Sequence, residues 1–234
     1  RAGGAATGRE IKMATARLGG YRAVSAKSRH ACRFVPRNGG TGSATVDLSA
    51  VREPINKWIV SELSDAIEKT TKAIEHYRFN EAADALYHFI WNSYCNWYVE
   101  LIKPSLNDDD VNAAAETRAT ASSILEGTLR LLHPFMPFLT EELNREIFAS
   151  DDMLIAASWP KPVKVGEGSA VIELRFLIQL ITEIRYIRAE MNVPLSAKPV
   201  LNLRGITDLQ QRAIDNQQAA LLRLARLDGI AHVD

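Results

Sequence analysis

Residues 81–103 constrain the fold more than any other stretch of the chain. Ala82, Ala85, Leu86, Phe89, Ile90, Trp91, Tyr94, Trp97, Tyr98, Leu101 and Ile102 recur at helical spacing, and they cover more than one face of the helix they define. A helix that is apolar on several sides has to be enclosed by others, so it belongs at the centre of a bundle. The rings of Trp91, Tyr94, Trp97 and Tyr98 could serve as base-stacking platforms. At spacings of three and four residues on so apolar a helix they read mainly as core, with Trp97 and Tyr98 as packing anchors.

The partners of this helix are legible on both sides of it. Before it, Pro54 is a favourable first-turn proline opening a helix to about Tyr77, with a stripe through Ile55, Trp58, Ile59, Leu63, Ile67 and Ile74. Asn80 is placed to cap the start of the central helix, and Pro104 to end it. After it, Asn107-Asp108-Asp109-Asp110 puts negative charge at the start of a helix over 111–132, where the helix dipole favours it. That is a better explanation of the run than a cation site. His133-Pro134-Phe135-Met136-Pro137 breaks the pattern, and a short amphipathic helix follows to about Phe148. A stretch of 150–169 containing Trp159-Pro160-Lys161-Pro162 reads as linker. A further helix over 170–191 precedes a short alternating strand at 199–204, a helical stretch at 207–226 and a second strand at 229–233. The fold class is mainly α: a bundle of four to five helices followed by a small C-terminal α/β appendage.

Composition narrows the function. Hydrophobic residues make up 47% and charged residues 24% of the 234, an ordinary globular profile. No apolar run approaches the ~18–20 residues of a membrane span, so no membrane partner is expected. Cys32 and Cys95 lack CxxC spacing, which points to reduced thiols and a cytoplasmic home. The five histidines show no metal-ligand spacing, and Glu141-Glu142 reads as helix-surface charge rather than an acid/base pair. No catalytic residue, cofactor site or metal site is predicted. The net charge is zero but unevenly spread: residues 1–37 hold nine basic residues against Glu10 alone, a local charge of +8. Most of that segment, 9–34, has a helical stripe, and its charge suits a polyanion such as nucleic acid or, alternatively, a solvated face.

Three motifs carry a resemblance. Arg78-Phe79-Asn80-Glu81-Ala82-Ala83-Asp84-Ala85-Leu86-Tyr87-His88-Phe89-Ile90-Trp91, continuing through Cys95-Asn96-Trp97-Tyr98 to Pro104, resembles the central helix of the valyl-tRNA synthetase family. Leu131-Leu132-His133-Pro134-Phe135-Met136-Pro137-Phe138-Leu139-Thr140-Glu141-Glu142-Leu143 is shared more widely among class Ia synthetases. Ile187-Arg188-Ala189-Glu190-Met191-Asn192-Val193-Pro194 favours the valyl member. Together with Gly8-Arg9-Glu10-Ile11-Lys12 they span about 8–194 in the family's order.

The resemblance implies the anticodon-binding region of a valine-tRNA ligase, without the catalytic and editing parts that use ATP to attach valine to its tRNA. Residues 1–37 would lead from the catalytic part into the bundle, 38–149 would form the anticodon-binding domain, 150–169 the linker, and 170–234 a helix with the appendage. The tRNA-binding residues it implies are Lys12, Lys27, His30, Arg33 and Phe34. Lysines suit phosphates or base acceptors, and an aromatic suits an unstacked base. The partner is then the tRNA anticodon arm, bound by a monomer that holds no cofactor of its own. Lys27-Ser28-Arg29-His30-Ala31-Cys32-Arg33-Phe34 departs from the family pattern, with Ser28-Arg29 in place of Leu-Trp and His30 in place of Asn. The alternatives are the same region of an isoleucyl or leucyl synthetase, or a non-catalytic paralogue acting as a protein-interaction bundle.

Overall fold

In the computed structural model, helix α1 (Pro54–Glu75) buries Ile59, Leu63, Ala66, Ile67, Thr70 and Ala73, a stripe with the three- and four-residue steps of an amphipathic helix. The structure describes residues 34–35, 46–106, 110–149, 152–165 and 168–233. The described residues fall into two compact units, one ending at Val165 and one beginning at Gly166.

The first unit is helical throughout. Tyr77 takes a left-handed φ of 58° after α1. Its N–H and that of Arg78 donate to Ile74 and Ala73 carbonyls, at 2.9 and 2.8 Å. The chain is thereby reversed by backbone bonds alone. Helix α2 (Phe79–His88) starts at once with Arg78 in the capping position, so Asn80 lies inside the first turn and is not the cap its type suggested.

The central helix does not stay α-helical. Phe89–Tyr98 winds as a π-helix before α3 (Val99–Ser105) resumes the tighter turn. Phe89, Ile90, Tyr94 and Tyr98 are buried, with Tyr94 and Tyr98 stacked at 5.9 Å. Trp91 and Trp97 are only half-buried. The expected quartet of core aromatics is therefore half right: the tyrosines are the anchors, and Trp91 lies flat against Tyr87 at 5.9 Å and 8°. Pro104 does not end the helix. It sits within α3 on the exposed side, one residue before the helix closes at Ser105.

Helix α4 (Val111–Leu132) is capped by Asp110, whose carboxylate accepts from the N–H groups of Asn112 and Ala113. The cap confirms the reading of that acidic residue as a helix start. Gly127 faces α1 closely, and an added Cβ there would lie 3.2 Å from Leu63 Cδ2. Helix α5 (Pro137–Phe148) opens on Pro137, the last residue of the expected break, and ends at Phe148 as expected. From Asp152 to Val165 the chain is laid on this bundle. Trp159 Nε1 donates to Thr71 Oγ1 at 2.8 Å, Val163 N–H donates to Ser64 Oγ at 3.0 Å, and Leu154 N–H donates to the Glu141 carboxylate at 3.1 Å. Glu141 is thus a structural acceptor and not merely surface charge.

The second unit packs helix α6 (Ser169–Glu190) against α7 (Asp208–Asn216) and α8 (Gln218–Ala225). Strands β1 (Val200–Leu203) and β2 (Gly229–His232) pair in parallel, Val200 opposite Gly229 and Leu203 opposite His232. Parallel pairing requires a crossover, which α7 and α8 supply. Thr207 and Gln210 form a reciprocal capping box at the start of α7. The helical stretch expected over 207–226 divides at Gln217, where the neighbouring Asn216 side chain turns to donate to Glu173 at 3.0 Å.

Candidate functional site

Of the five residues marked for nucleic-acid contact, Phe34 is the one within the described residues. It is half-buried, on helical backbone beside Val35, which is 3% exposed. Lys12, Lys27, His30 and Arg33 lie outside the described residues, as does nearly all of the basic segment.

Beyond that segment the chain is anchored by a polar network in the bundle interior. The Glu116 carboxylate, on α4, accepts from the backbone N–H groups of Arg52 and Glu53 and from Asn56 Nδ2, each at 3.0 Å. Asn56 is fully buried. It also donates to Thr117 Oγ1 at 3.2 Å, and its Oδ1 accepts from the buried Tyr98 hydroxyl at 3.2 Å. Burial acts to raise the Glu116 pKa, but the bonds from Asn56, Glu53 and Arg52 together outweigh it and hold the carboxyl below its usual value. Burial, with Glu116 nearby, pushes the Tyr98 phenol well above its ordinary range, so it stays a neutral donor. These groups supply N–H caps to the start of α1 and fix its entry angle. Their bonds tie α1 to α4 and to the π-helical segment.

Sequence reasoning missed this network, although one signal was there. Asn56 stands in an otherwise apolar stripe between Ile55 and Trp58, and a buried amide needs partners. Arg118 was likewise unmarked; it donates to the Leu106 carbonyl at 2.6 Å and closes the end of the central helix.

Among the described residues no group of three or more His, Cys, Asp or Glu side chains is placed to hold a metal ion. No described helix is long and apolar enough to cross a membrane. One groove of the first unit, of about 400 Å³, lies between Ile74, Phe79, Phe135 and Trp159.

The family follows from the chain's own pattern. Residues 56–203 match the anticodon-binding domain of tRNA ligases, and the chain belongs to that family. Its relatives narrow the class further. It is 45% identical over 231 residues to a valine–tRNA ligase of Caulobacter vibrioides, 42% over 232 to one of Rhizobium meliloti, and 40% over 230 to one of Agrobacterium fabrum. Each alignment takes in 97% of this chain, and so the basic segment with it. The chain spans about a quarter of the length of these curated relatives (26, 24 and 24%).

Proposed function

We propose that this chain is the part of a valine–tRNA ligase that grips tRNA(Val) by its anticodon arm. The rest of the protein would use ATP to join valine to the other end of the tRNA. The observation that carries the reading is the match of nearly the whole chain, basic segment included, to valine–tRNA ligases, together with the family match over 56–203. Lys12, Lys27, His30, Arg33 and Phe34 are the residues proposed to meet the anticodon. Their chemistry divides the work: the cations hold phosphates and base acceptors, His30 offers a hydrogen-bonding ring, and Phe34 stacks on an unpaired base. The protein acts as a monomer in the cytoplasm, and this region holds no cofactor.

A gel-shift titration tests the proposal. The chain should bind tRNA(Val) more tightly than the same tRNA with an exchanged anticodon, and binding should weaken steeply with salt. Lys27→Ala should lower the affinity and reduce the salt slope by about one unit. Equal affinity for the two tRNAs would refute anticodon reading, and a folded chain that binds neither would point to a protein-interaction bundle.

A further inference from the structure

The second unit holds a basic pocket that the anticodon reading leaves unused. It encloses about 360 Å³ between the last turns of α6 and the end of α8, and its lining includes Arg185, Arg188, Leu195, Leu224 and Arg226 but no Asp or Glu. Two of these arginines belong to α6, three residues apart and so on one face of it. The other arrives from the end of α8, where Arg226 takes a left-handed φ of 55° as the chain leaves the helix.

What holds the Arg188 and Arg226 guanidinium groups is backbone carbonyl. Arg185 Nε donates to Leu224 O at 3.1 Å. Arg188 donates to the carbonyls of Arg226, Pro194 and Ala197, at 3.2, 3.2 and 2.8 Å. Arg226 Nη1 donates to Leu195 O at 3.1 Å. A carbonyl orients a guanidinium without cancelling its charge, as a carboxylate would. Arg188 and Arg226 therefore bring fixed positive charge beside the apolar side chains of Val193, Leu195 and Leu224, where an anion is attracted more strongly than in open water. Arg188 spends its donors joining α6 to the segment after it. Arg226 spends one, leaving most of the five N–H groups of a guanidinium without a protein partner among the described residues.

We propose that this pocket binds a phosphate group of the tRNA backbone, a second attachment point that carries no base information. The inference rests on the tRNA-binding reading above and extends it to a different part of the chain. A planar fork matches two phosphate oxygens at once, which is why arginine rather than lysine suits the task. The contact adds affinity and register, while discrimination stays with the residues that meet the anticodon.

Arg226 is the residue to test, because it is exposed and makes a single bond, whereas Arg188 also holds the fold together. Fluorescence anisotropy on the full chain with tRNA(Val) over a range of salt should show Arg226→Gln binding severalfold more weakly, with about one unit lost from the salt slope. The preference over the anticodon-exchanged tRNA and the unfolding midpoint by circular dichroism should both be unchanged. Arg226→Lys should recover the slope but only part of the affinity. Wild-type slope and affinity in Arg226→Gln would overturn the pocket while leaving the tRNA reading intact. If the wild-type chain binds no tRNA, inorganic phosphate is titrated against thermal unfolding. A phosphate-dependent rise in the midpoint of the wild type but not of Arg226→Gln supports the pocket, with free phosphate as its ligand, and removes tRNA as the source. No rise in either overturns the pocket together with the tRNA reading.

Discussion

Glu116 in the first unit and Glu173 in the second are both carboxylates drawn in among packed helices, but their surroundings differ. Glu116 is met by two backbone N–H groups and the Asn56 amide, and Asn56 is in turn satisfied by Thr117 and Tyr98. The resulting network joins α1, α4 and the π-helical segment. Glu173 is 8% exposed, yet among the described residues it accepts one hydrogen bond, from Asn216 at 3.0 Å, and faces the largely exposed Arg212 at 3.9 Å. Buried polar groups stabilise a fold when their bonding capacity is filled, and cost stability when it is not. The first unit uses its carboxylate to lock three helices into one arrangement; the second uses its carboxylate for a local tie between α6 and α7.

The largest effect should come from removing the aromatic that both fills the core and ends the network. Tyr98 is fully buried and stacks on Tyr94. Tyr98→Ala should cost about 3–5 kcal/mol, the usual range for emptying a large aromatic site, and it also leaves Asn56 Oδ1 without its donor. Trp58, Trp91, Trp97 and Trp159 all lie in the first unit, so denaturant unfolding followed by tryptophan fluorescence reports on that unit. A loss below about 1 kcal/mol would mean that the interior repacks and that the network does not fix the bundle.

A smaller, pH-dependent loss is expected from Glu116→Gln. It keeps the shape but removes the charge that backs the N–H groups at the start of α1, and should cost about 1–2 kcal/mol at neutral pH. The sign with pH follows from the lowered folded-state pKa of Glu116. A carboxyl whose pKa is lower in the folded state contributes its stabilisation in full above the ordinary glutamate range. The contribution is lost as pH falls through the lowered value. The gap between wild type and Glu116→Gln should therefore narrow as the solution is acidified, in paired denaturation curves. A gap that stays constant or widens in acid would show that the charge of Glu116 is not what holds α1.

Much of this arrangement could be read from the residues, and the parts that could not share a cause. Helices α1, α4 and α5 were legible because their apolar stripes are bounded by Pro54, Asp110 and Pro137, signals that act within a turn of the residue carrying them. The two strands were legible from alternation and the resemblance from motif order. The π-helical winding of Phe89–Tyr98 was not, since the same aromatic spacing suits an α-helix and the choice depends on what packs around it. The break at Gln217 escaped because no glycine or proline marks it. Of the candidate site, the charge of the basic segment was legible, but the anchoring of α1 by Glu116 was not. Glu116 finds its partners 60 to 64 positions away, and a single sequence carries no trace of which distant amides will meet a carboxylate. The pocket arginines were hidden for the same reason, since Arg226 lies 38 positions from Arg188.

The smallest effect probes the other side of the comparison. Glu173→Gln keeps an oxygen that can accept from Asn216, and Arg212 is too exposed for its charge to contribute much. The substitution should change stability by less than about 0.5 kcal/mol, read by far-ultraviolet circular dichroism in urea. The result matters through its ratio to Glu116→Gln rather than its size. If each carboxylate were valued by burial alone, Glu173, the more buried of the two, would be the costlier to neutralise. If value is set by the number of donors that converge on it, the order reverses. A loss at Glu173 equal to or greater than that at Glu116 would overturn the distinction and make burial, not completed hydrogen bonding, the quantity that governs how carboxylates serve these helices.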